Sequence, residues 1–90
     1  MEAAVTPEEA ETIALKGLGF LANSGAEMDR FVAASGVDPA ALRLRAEDPQ
    51  FLAAVVDFLL TDDELVLAFC AAESLDPKQL HRARHALGRA

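Results

Sequence analysis

The residues with the most chemistry to offer are His81 and His85. Four positions apart on a helix, they share one face, and that spacing can hold a metal ion. The run reads His81-Arg82-Ala83-Arg84-His85. Two guanidinium groups beside the imidazoles repel a cation, and no glutamate follows His81 to supply the base of a zinc-protease helix. The pair therefore reads as two partly exposed histidines on a polar face, with no metal and no other cofactor expected. Cys70 sits amid Phe69, Ala71 and Ala72 and reads as a small core residue. Ser24, Ser35 and Ser74 fall at expected helix boundaries, where serine caps or terminates, and none lies in a nucleophile elbow. Among the acids, Asp57 falls on the polar side of its helix. Asp62-Asp63-Glu64 occupy a first turn, where carboxylates complement the helix dipole. No catalytic residue is assigned, and the chain is expected not to be an enzyme.

Binding is better represented. The formal net charge is -7, but it is unevenly spread. Residues 1–40 carry seven acids and two bases, and residues 41–75 the same. Residues 76–90 carry Asp76 against Lys78, Arg82, Arg84 and Arg89. The cationic end, Lys78, His81, Arg82, Arg84, His85 and Arg89, is the candidate interaction surface. A protein partner or self-association is the leading expectation. The alternative is a helix-turn-helix-like DNA-binding regulator using the last helix, with Arg43 and Arg45 extending the patch. The acidic body opposes that alternative, because nucleic-acid affinity rests on neutralising phosphates. Basic residues in the last turns of a helix also stabilise it in their own right. The nearly all-apolar run from Phe51 to Leu60 admits two readings, a central core helix or a helix with one flank left for a partner.

These side chains must be positioned by helices. Ala and Leu dominate the apolar residues, with 19 and 13 copies, whereas Val and Ile together number seven. That balance favours helix over strand, and no period-2 alternation is sustained. Thr6-Pro7-Glu8-Glu9 is a helix start with a capping box, and Ala10, Ile13, Ala14, Gly17, Leu18 and Leu21 follow on one face. Ser24 with Glu27 and Thr61 with Glu64 read as further capping boxes, and Gly36 as a left-handed cap. Asp-Pro pairs at 38–39, 48–49 and 76–77 each open a helix, the carboxylate capping free N–H groups. Phe51, Leu52, Val55, Val56 and Leu59 line one face of the fourth helix, with Gln50, Ala53 and Asp57 opposite. Gly17-x-Gly19 is no phosphate loop, since no strand precedes it; Gly17 reads as a point of close helix packing or a kink. The expected fold is all-α, a single domain over residues 1–90 with about six short helices and a disordered start at 1–5. No leader and no apolar run of about 20 residues is found, which predicts a cytoplasmic protein.

Sliding the chain by 38 residues superposes Phe20-Leu21 on Phe58-Leu59, Phe31 on Phe69, Ala33-Ala34 on Ala71-Ala72, Asp38-Pro39 on Asp76-Pro77 and Leu42 on Leu80. Those are eight identities over 37 positions, with the two capping boxes offset by 37 instead. The pattern suggests two pseudo-symmetric three-helix units, about 13–49 and 51–87, packed as one globule.

Gly36-Val37-Asp38-Pro39 through Leu42-Arg43, with the 51–59 run and Phe69-Cys70-Ala71, resembles an uncharacterised bacterial family, the domain of unknown function numbered three-five-seven-two. The resemblance implies an intact small helical protein of the cytoplasm. It carries over no catalytic residues, because the shared motifs are caps and core positions.

Overall fold

A computed structural model of the chain describes residues 5–88, and all regular structure among them is helical. Helix α1 spans Pro7–Ala22, α2 Gly25–Ser35, α4 Pro49–Leu60, α5 Asp63–Glu73 and α6 Pro77–Gly88. Between α2 and α4 a 3-10 turn, Pro39–Ala41, runs into the four-residue α3, Leu42–Arg45. The bundle thus has five full helices and one short sixth. Its radius of gyration, 12.2 Å, matches the roughly 12 Å of a compact domain this long. Among the described residues, no helix is long and apolar enough to cross a membrane.

The starts follow from local chemistry. At α1 the capping box closes in both directions: Glu9 N–H donates to Thr6 Oγ1 at 3.1 Å, and Thr6 N–H donates to Glu9 Oε1 at 3.2 Å. Each Asp-Pro pair works alike, with the Asp38, Asp48 and Asp76 carboxylates accepting from the N–H two residues on at 2.9–3.0 Å. The other two boxes do not form. Ser24 precedes α2 without a side-chain cap bond, and Glu27 is taken by the Arg30 guanidinium at 2.9 Å. At α5 the cap is Asp62, whose Oδ1 accepts from Glu64 N–H. Thr61 instead ends α4, its hydroxyl donating to the Phe58 carbonyl at 2.6 Å. A carboxylate one residue closer to the helix takes the free N–H from a hydroxyl further back.

Helices α1, α4 and α6 pack against one another, while α2 and α5 each lie against both α1 and α4. The core comprises Ala10, Ile13, Ala14 and Leu21 of α1, the α4 face from Phe51 to Leu59, and Leu80, Ala83 and Leu87 of α6. Phe31 of α2 and Phe69 of α5 are buried in it as well. Helix α4 is the central helix: Phe51, Leu52, Val55, Val56 and Leu59 are buried. Ala53, expected on the polar side, is buried as well, because α6 closes over that edge. Gly17 marks a close approach of α1 and α4, since a Cβ there would stand 2.8 Å from Leu59 Cδ1. Val5 is half-buried and packs against the core rather than trailing free; residues 1–4 lie outside the described ones.

The shift of 38 residues recurs in local geometry. Helices α2 and α5 begin and end 38 apart, with N-caps Ser24 and Asp62. Their C-caps, Gly36 and Ser74, both adopt the left-handed region at φ 72° and 54°, and their N–H groups donate to the carbonyls of Val32 and Cys70, again 38 apart. Because Asp62 is the cap, the offset at this boundary is 38 and not 37. The third elements differ, one turn of α3 against three turns of α6.

Candidate interaction surface

Helix α6 is shaped by the alternation of its anchors and its cations. Pro77 opens it, Asp76 caps it, and Gln79 Oε1 accepts from Asp76 N–H at 2.9 Å, so the first turn is closed reciprocally. Leu80, Ala83, Ala86 and Leu87 are buried and hold the helix against α1 and α4. Helical spacing then turns Lys78, His81 and His85 outward, and all three are exposed. Arg82 lies between them, half-buried; it and His85 are already engaged in contacts of their own.

Arg84 leaves this group. Its Nε donates to Asp57 Oδ1 at 2.6 Å, tying α6 to the polar edge of α4. With 35% and 53% of these side chains exposed, solvent screens the pair, which contributes about 1 kcal/mol or less. The candidate cationic end is therefore divided: Lys78, His81, Arg82 and His85 belong to the outer face, and Arg84 serves the junction with α4. Arg89 lies outside the described residues. Arg45 is held on α3 by Asp48 at 3.4 Å and by the Phe51 ring, 5.6 Å from its guanidinium carbon.

The other chemistry-bearing residues carry structural work. Cys70 is buried in the core. Burial pushes its thiol pKa up, and the nearby Asp76 carboxylate pushes it the same way, so the thiolate is disfavoured. Ser35 Oγ accepts from Val37 N–H, and Ser74 is the left-handed cap of α5. Asp62 caps α5 and lies 3.9 Å from an Arg30 nitrogen. No group of three or more potential metal ligands occurs among the described residues. Surface grooves exist: one of ≈ 380 Å³ runs between the starts of α2 and α5, and another of ≈ 240 Å³ lies between α2 and α4. Both are shallow. The first is walled by the cap residues Ser24 and Asp62, the second by Phe31, Ala54 and Phe58.

The pairing of Asp57 with Arg84 escaped sequence reading. Opposite charges on the polar edges of two amphipathic helices are the only signal, and it becomes specific once α6 is known to lie along α4.

In comparison with known proteins, residues 7–90 match a family described as “Protein of unknown function (DUF3572)”. No curated protein and no solved structure matches the chain.

Proposed function

The chain belongs to the DUF3572 family, and we propose that it is a non-enzymatic interaction module that docks the outer face of α6 on an acidic surface of a partner protein. The observation behind this reading is the separation of charge. A chain of net charge -7 places the cations Lys78 and Arg82, with His81 and His85 beside them, on one face of one helix, opposite the anchors that bind that helix to the core. Cations segregated on an acidic body steer an acidic partner toward one face and turn it away from the rest. Most of the apolar side chains of α4, from Phe51 to Leu59, are spent on the core, and Phe58 and Leu60 are partly buried against it. The same reading puts the protein in the bacterial cytoplasm, where an unpaired thiol such as Cys70 persists.

The test is co-purification of the tagged full chain with and without Lys78→Glu and His81→Glu, two exposed positions whose exchange leaves the core intact. The expected result is a discrete acidic partner, captured at low salt and lost on charge reversal. Capture that ignores both the substitutions and the salt concentration refutes the reading. Duplex DNA in a parallel assay addresses the regulator alternative. The chain's net charge of -7 opposes phosphates, so no binding is expected.

A further inference from the structure

We propose that two copies of this chain associate by exchanging halves, residues 7–35 of each closing on residues 49–88 of the other. This stands apart from the α6 reading and rests on the contact between the halves. The Phe20 ring meets Phe69 edge-on, centroids 5.5 Å apart and planes at 66°. The Phe58 ring meets Phe31 with centroids 5.4 Å apart and planes at 69°. Shifting by 38 turns Phe20 into Phe58 and Phe31 into Phe69. The two contacts are thus one contact made twice, with the halves in opposite roles. Around it, Leu21 and Leu59 are both fully buried, and α2 and α5 share length, cap positions and the left-handed exit. A contact that reads the same with its partners interchanged is what a twofold axis between like units produces. Between α1–α2 and α4–α5 the joining contacts are therefore interchangeable, whereas the packing of α6 on α1 has no counterpart in the one-turn α3; the same surfaces can be met by the halves of two chains.

The connection permits the exchange. It runs from Gly36, in the left-handed region, to Asp48 before α4; its 3-10 turn and α3 pack on each other, and Val37 and Leu42 are its anchors on the core, contacts that either arrangement of the halves can keep. Leu44 there is 83% exposed. Thirteen residues reach up to about 40 Å when extended, at roughly 3.3 Å each, so neither strain nor length confines the second half to its own chain. Repeated units on one chain are the setting in which such exchange arises.

The experiment uses the full chain in light and isotopically heavy forms. One sample is unfolded and refolded together at millimolar concentration; the other is refolded separately and then mixed. Native mass spectrometry reads the dimers. Light–heavy dimers of doubled mass are expected only in the co-refolded sample, with the helical circular dichroism of the monomer retained, because every helix keeps its contacts. Mixed dimers in the sample never unfolded together would show surface association and overturn the proposal. Absence of dimers from both samples, or dimers that have lost helicity, would overturn it too.

Discussion

Two glycines on one helix make opposite predictions. Gly19 is exposed and has nothing within 4 Å of where a Cβ would stand. Gly19→Ala therefore realises the helix-propensity gain, about 0.8–1 kcal/mol. For a domain of this size that raises Tm by roughly 4–8 °C. Gly17→Ala has the same intrinsic gain, but its methyl would meet Leu59 Cδ1 at 2.8 Å, Val55 Cγ1 at 3.5 Å and Phe69 Cζ at 3.9 Å. Leu59, Val55 and Phe69 are all 0% exposed, so the Leu59 methyl cannot swing into solvent. Overpacking of this kind costs about 1–3 kcal/mol, leaving Gly17→Ala between roughly neutral and 2 kcal/mol destabilising once the propensity gain is offset. Shortening the neighbour should relieve it. Leu59→Val alone loses about 1 kcal/mol, as removal of one buried methylene does. Combined with Gly17→Ala it should lose less than the sum, with a coupling of about 1 kcal/mol. Urea denaturation of the parent chain and the four variants measures all of this, given a common m-value. If Gly17→Ala stabilised as much as Gly19→Ala, or if the double variant were simply additive, the close approach of α1 and α4 at Gly17 would be refuted.

Other outcomes follow from single residues. Ser74 holds a left-handed conformation that suits glycine, so Ser74→Gly should raise stability by about 1 kcal/mol and Gly36→Ala should lower it by a similar amount, both read from denaturation midpoints. Cys70 should resist a thiol reagent in the folded protein and react at the rate of unfolding. Its folded pKa lies above the unfolded one, so its contribution to stability is complete at neutral pH and declines as the pH rises through the ordinary thiol range and beyond. A Cys70→Ala variant should flatten that alkaline slope, and an unchanged slope would refute the assignment. Asp57→Ala should cost at most about 1 kcal/mol, an effect that added salt shrinks.

The helix starts were legible because their causes are local. An Asp before a Pro caps the same N–H in every context, and all three such pairs do so. The core faces of α1 and α4 were legible from periodicity, since one continuous core gives each helix one inner stripe. What failed depended on competition or on crossing geometry. Ser24–Glu27 and Thr61–Glu64 have the capping-box spacing, yet Arg30 claims Glu27 and Asp62 outcompetes Thr61. Ala53 looks polar-facing from its own helix and is buried because α6 arrives there. The cationic end looked like one patch, because sequence shows six basic residues but not that Arg84 is turned toward Asp57. The two readings of the Phe51–Leu60 run differ only in what surrounds the helix, and packing alone decides between them.

Among the described residues the core contains no buried polar or charged side chain. Such an interior has no hydrogen-bonded landmark, the kind of feature that elsewhere pins one helix at a single height against another. Here registration falls to shape: the notch at Gly17 that admits Leu59, and the edge-on ring pairs Phe20–Phe69 and Phe31–Phe58. Sliding α1 by one turn along α4 would strand no charge and break no buried bond, so only lost contact and collision oppose it. The protein's structural uniqueness is therefore concentrated in a few steric features. Substitutions there should loosen the arrangement into alternatives before they unfold it, whereas equal changes of volume elsewhere in the core would alter stability and leave the arrangement intact.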